Sequence, residues 1–214
     1  MCKTGWIGIL LILLSAGASA VEVGLVTAVS GNVTLQEDKS TASEIKPFIK
    51  LREGDRLTLQ SKSRLQVVFF DGGRQETWQG AGALEVGSVS SKAVKGGVQA
   101  EVRTLPAILV KQLSKTPSPD GAVKTGMIRM RSMGTAGTLE SLESNYADLR
   151  KQVEASDRSP ELYLLSGYLE LREFDKLDGV LKQMRESNPA DSQVATLGAL
   201  YSRAVSSAKM SDKR

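Results

Sequence analysis

The sequence has no histidine and a single cysteine, Cys2. Without imidazole there is no Ser-His-Asp triad and no histidine ligand for zinc. One thiol supplies no structural disulfide. Long apolar runs are also missing beyond the first twenty residues, so no membrane-spanning helix is expected in the body of the chain. Charge excess is small: 28 Lys and Arg stand against 24 Asp and Glu, a net +4. A surplus of that size does not mark a nucleic-acid binder.

These absences leave carboxylates, serine and lysine as the candidates for catalysis. Ser206-Ser207-Ala208-Lys209 has the spacing of a nucleophile and its base, but it falls in a stretch expected to fray. Glu37-Asp38 sits in a polar loop, where nothing apolar would raise a carboxyl pKa. No catalytic residue, no cofactor and no metal site is expected. Met127, Met130 and Met133 are the nearest approach to a soft-metal set, suited in kind to Cu(I). In an extended segment their three-residue spacing turns the sulfurs to opposite faces, and packing is the commoner use of methionine.

What is present begins with MCKTGWIGILLILLSAGASA, which has the form of a secretory signal peptide. Lys3 is the basic n-region, Trp6 to Leu14 the apolar h-region, and Ala18-Ser19-Ala20 the small-residue site. Cleavage is expected between Ala20 and Val21, giving an exported, periplasmic protein. Cys2 precedes the apolar run, whereas a lipidation site would follow it.

From Val21 the pattern is that of strands. Val21, Val23, Leu25 and Val29 recur on one side, and Ser30-Gly31-Asn32 makes a turn before Val33 and Leu35. In LQVVFF, Leu65, Val67 and Phe69 share one face while Val68 and Phe70 load the other. A strand apolar on both sides belongs inside a sandwich or roll. Asp71-Gly72-Gly73 then reads as a hairpin, because the tight turn needs positive φ. Strand-forming residues follow it, so these glycines are not the start of a phosphate-binding loop, which opens onto a helix.

Residues 106–137 change character. Prolines and glycines punctuate them, and Lys111, Lys115, Lys124, Arg129 and Arg131 face only Asp120. The stretch reads as a basic linker, either a solvated connector or an arm in weak contact with an anionic envelope surface. From Thr138 the period becomes helical. Leu139, Leu142, Tyr146, Leu149 and Val153 form one stripe, and Leu162, Leu165 and Leu169 a second opened by Ser159-Pro160. Leu177, Val180, Leu181 and Met184 form a third, closed by Asn188-Pro189, and Val194, Leu197, Leu200, Tyr201 and Val205 a fourth.

The expected architecture is therefore α+β in two parts: a signal peptide over 1–20, an all-β sandwich or roll over 21–105, the basic linker over 106–137, a small all-α domain over 138–207 and a tail over 208–214.

Two stretches carry family resemblances. VGLVTAVSGNVTL, GDRLTLQSKSRLQVVFFDGG and GALEVG resemble the FecR domain, through Gly31, Gly54-Asp55, Ser61, Ser63 and Asp71-Gly72. That resemblance implies a non-catalytic periplasmic binding or sensing module. FecR regulators also carry a cytoplasmic anti-sigma segment and one membrane span. Here five residues precede the h-region, which puts the family's usual route of signalling to the cytoplasm in doubt and leaves the binding or sensing module as the expectation. LLSGYLELREFDKLDGVLKQMRESNP is similar to a tetratricopeptide repeat, through Tyr168, Phe174, Leu177, Leu181, Met184 and Pro189. The alternative is a small helical bundle packed on the β domain. The leading function is a scaffold that docks an envelope protein through the helices, with Tyr163, Tyr168, Tyr201, Arg129 and Arg131 as candidate contacts. The other is a β domain that binds a small ligand or cell-wall glycan.

Overall fold

The computed structural model describes residues 21–37, 40–118 and 138–211. The expected signal peptide with Ala20, the methionines of the 127–133 stretch, Lys124, Arg129 and Arg131 lie outside the described residues.

Strands β1 (Glu22–Ser30), β2 (Val33–Gln36), β3 (Ser43–Glu44), β4 (Lys50–Arg52), β5 (Arg56–Leu59), β6 (Arg64–Phe69), β7 (Arg74–Gln79), β8 (Gly82–Val86), β9 (Ser91–Gly96) and β10 (Gln99–Thr104) form two antiparallel sheets. Sheet A has the order β10-β7-β6-β1-β4, and sheet B the order β3-β2-β5-β8-β9. Side chains alternate across a strand, so the register fixes the faces. Val26, Leu51, Leu65, Val67, Phe69 and Trp78 of sheet A meet Val33, Leu35, Leu57, Leu59, Leu84 and Val86 of sheet B in one buried cluster. Each such side chain, fully buried, stabilises the fold by about 1.5–3 kcal/mol.

The other face of sheet A is buried too. Leu25 lies opposite Val68 across the β1–β6 ladder. Both join a second cluster built mainly from helices. The apolar pattern on both sides of β6 thus has a physical reason: sheet B covers one face and the helices cover the other. Phe48 reaches this second cluster from the loop before β4, and it does so at a φ of 69°, an unusual conformation for a bulky residue.

Helices α1 (Ala107–Leu113), α2 (Leu139–Lys151), α3 (Ser159–Leu171), α4 (Phe174–Ser187) and α5 (Ser192–Ser211) complete the described fold. Helix α3 is buried at every position from Ser159 to Tyr168 and packs against each of the other four. A helix apolar all round belongs in an interior, and this one is the hub of the helical layer. The N-terminus of α3 falls one residue earlier than Ser159-Pro160 capping requires. Ser159 is already helical, and the carboxylate of Asp157 accepts its N–H at 2.9 Å.

Two expected boundaries shift. The stretch 106–137 opens with a helix rather than as a free connector: Leu109, Val110 and Leu113 of α1 are buried, and Leu109 and Leu113 belong to the core shared by sheet A and the helices. The expected tail at 208 is still helix, with Ala208 buried and α5 running to Ser211.

The departure of α1 is set at Gly73. This residue has a φ of 65°, and its carbonyl accepts the Leu105 N–H at 2.8 Å. A Cβ there would sit 2.9 Å from the Leu105 oxygen. Only glycine combines the positive φ with so close an approach, so the β6–β7 turn pins the end of β10 where Pro106 starts the helix.

Candidate functional site

An open cleft of about 210 Å³ lies on the seam between sheet A and the helical layer. Strands β1 and β6 contribute Ser30, Arg64 and Gln66, and β10 contributes Arg103. Across from them, the α2–α3 loop presents Glu154, Ser156 and Asp157. Register explains the sheet side: Gln66 pairs with Thr77, and Arg103 with Gln75, which places all four on the face turned to the helices.

The loop is held by one arginine. Arg150, near the end of α2, donates to the carbonyl of Asp157 at 2.7 Å and to both oxygens of Glu161 at 3.1 Å. Its other nitrogen donates to the carbonyls of Val153, at 3.2 Å, and Glu154. The planar guanidinium fork suits this many fixed acceptors. Tyr146 adds a donor to Glu161 at 3.4 Å. Burial, and next the Glu161 carboxylate, pushes the Tyr146 hydroxyl above its usual range, so it remains a protonated donor. On the far side Arg158 reaches Asp191 at 2.8 Å and fixes the start of α5, where Gln193 closes the cleft.

Charge in the cleft is mixed. Asp157 is buried; one carboxylate oxygen caps α3, and the other has no hydrogen bond among the described residues. That oxygen lies 3.9 Å from a nitrogen of Arg103, which is itself half exposed. A second hollow of about 120 Å³ adjoins, sharing Arg103 but lined by Pro106, Leu109, Leu149, Val153 and Pro160. A polar recess and an apolar one therefore meet at a single arginine.

The three tyrosines expected at a docking surface are in the core instead. Tyr163, Tyr168 and Tyr201 are 2%, 5% and 0% exposed. Tyr201 shares a 2.6 Å hydrogen bond with Ser166, and the Tyr168 hydroxyl donates to Glu143 at 2.9 Å. All three rings belong to the core that the helices share with sheet A. Val21, the residue after the expected cleavage point, is 76% exposed. Of the basic residues in 106–137, Lys115 is tied to Glu170 of α3 at 2.6 Å.

Elsewhere, the buried carboxylates serve the scaffold. Glu76 is wholly buried and accepts from Trp78 at 2.9 Å, from Arg74 at 2.6 Å and from the Ser91 N–H at 3.1 Å, which ties β7 of sheet A to β9 of sheet B. Asp55 accepts the Arg52 N–H at 2.7 Å and closes the turn at Gly54-Asp55. No group of three or more His, Cys, Asp or Glu capable of holding a metal occurs among the described residues. No described helix is long and apolar enough to cross a membrane.

Comparison with family models, with curated proteins and with solved structures finds no match.

Proposed function

We propose that this chain is a non-catalytic binding module, exported to the periplasm, that holds an extended segment of an envelope protein at the seam between sheet A and the helices. The observation that carries the reading is the junction at Arg103 of a polar cleft and an apolar hollow. At about 210 Å³ the cleft is smaller than the ~300–1,000 Å³ of sites that enclose whole small molecules. It suits a charged or amide group of a chain, with an apolar neighbour seated over Leu109 and Leu149. The FecR-like turns and the secretory pattern of the first twenty residues support export and binding. The absence of histidine supports a role without catalysis.

Only Asp157 of the two cleft carboxylates is buried, which does not make an acid–base pair. A free glycan is served less well, since no aromatic ring among the described residues lines either hollow.

A photoreactive residue at Ser156 tests the proposal in intact cells. It should form an adduct with one envelope protein, and Arg64→Glu should abolish that adduct without changing the circular dichroism spectrum. Capture that is indifferent to Arg64→Glu, capture only from a probe on the outer face of α4 such as Asp178, or a crosslink within the chain would overturn it.

A further inference from the structure

We propose that strand β10 is a self-association edge, through which two copies of this chain pair antiparallel about a two-fold axis at Val102.

Sheet edges are templates for pairing, and proteins blunt them with brevity, bulges, lysine or proline. Among the described residues, three of the four sheet edges are blunted. Strand β3 has two residues and β4 three, and the β1–β4 ladder is irregular. Strand β9 has a register shift against β8 and carries Lys92 and Lys95. Strand β10 differs. It pairs with β7 over six residues without a shift, contains no proline, and all six of its residues are exposed.

Which of its backbone groups face outward follows from the ladder. Leu105 N–H donates to Gly73 at 2.8 Å, and Gly97 N–H donates to Ala81 at 3.2 Å. Both pairs continue the β10–β7 register, which matches Gln99 to Gln79 and Thr104 to Arg74. Hydrogen-bonded pairs alternate in an antiparallel ladder. The odd-numbered residues of β10 therefore bond inward to β7, and Ala100, Val102 and Thr104 turn their N–H and C=O groups to the open side.

A second copy of β10 meets this edge in one favourable register. Centred on Val102, each Val102 exchanges both bonds with its copy, and Ala100 exchanges with Thr104 of the second copy. The same register sets Glu101 opposite Arg103 of the second copy, twice, on one face. Opposite charges directly across an antiparallel pair stabilise it, and like charges destabilise it. Moving the axis to Glu101 opposes two glutamates, and moving it to Arg103 opposes two arginines. Any axis between residues sets outward groups against inward ones and forms no ladder. The two-fold at Val102 is thus isologous, as closed dimers require, and joins the two copies of sheet A into one continuous sheet.

Sedimentation velocity on the full chain, over a range of concentrations, tests this. The parent should show a concentration-dependent dimer. Val102→Pro removes an N–H that β7 does not use, a place where an edge strand tolerates proline, so it should give monomer with an unchanged circular dichroism spectrum. Glu101→Arg and Arg103→Glu should each weaken self-association by on the order of tenfold or more. Mixing these two variants should restore dimers, because each arginine then faces a glutamate. A parent that stays monomeric at every concentration, a dimer that survives Val102→Pro, or a mixture no more associated than its components would each overturn the proposal. Val102 and Glu101 do not line the seam cleft, so Val102→Pro leaves the partner-docking reading separately testable.

Discussion

Leu113→Ala tests whether the two halves of the chain are one folding unit. Leu113 is wholly buried and shares a core with Leu25 and Val68 of sheet A and with Leu162, Leu165 and Tyr201 of the helices. Removing a buried leucine side chain costs about 2–5 kcal/mol, the larger values where the walls do not collapse. Here one wall is the central strand pair of sheet A and the other is the hub helix α3, so about 3 kcal/mol is expected. With a urea slope of about 1–3 kcal/mol per molar, the midpoint should fall by about 1–3 M. Trp78 is buried between the two sheets, and in the chain from Val21 onward it is the sole tryptophan. Its fluorescence follows the sandwich, while far-ultraviolet circular dichroism follows the helices. In parent and variant the two probes should give one shared midpoint, displaced together by the substitution. A helical transition that separates from the tryptophan signal, or a shift below about 0.3 M, would refute the idea that α1 joins the layers.

Two further outcomes follow from buried carboxylates. Glu76→Gln keeps the shape but leaves one acceptor among three donors, so it should cost about 2 kcal/mol and lower the melting temperature by about 4–8 °C; an unchanged melting temperature would show that Glu76 does not tie the sheets. Burial raises the Asp55 carboxyl above its ordinary 3.8, so in the window from there up to its folded value the folded chain binds the extra proton and stability falls as pH rises. Asp55→Asn has no such proton, and the stability difference between parent and variant should move against the parent as pH climbs through that window; a difference flat with pH would refute it.

Periodicity carried much of the fold. The two-sided apolar pattern of β6 is what a middle strand of a covered sheet requires, and the helical stripes at Leu142, Leu162, Leu177 and Leu197 are all buried in the shared core. Helix α1 escaped the same reading because it is only seven residues long, shorter than the stripe that makes a helical period visible, and Lys111 within it and Lys115 just beyond it lend the stretch the look of a solvated arm. The tyrosines misled for a different reason. A ring with a hydroxyl serves a core with a polar partner as well as an interface, and Ser166 and Glu143 supply those partners from positions far along the chain. The seam cleft had no sequence signature, since Arg64, Arg103 and Asp157 come from three separate elements and meet only through sheet register and the Arg150-held loop.

The covering of sheet A by helices has a consequence for the order in which the chain is made. Residues 22–104 leave the ribosome before any helix that covers Leu25 and Val68 exists, so the sandwich emerges with an apolar face still bare. Its central strand reaches its final environment only after Leu162 and Tyr201 have been synthesised. Until then the N-terminal half carries a bare apolar face, and its fold stays incomplete until the last helix that covers it has been made.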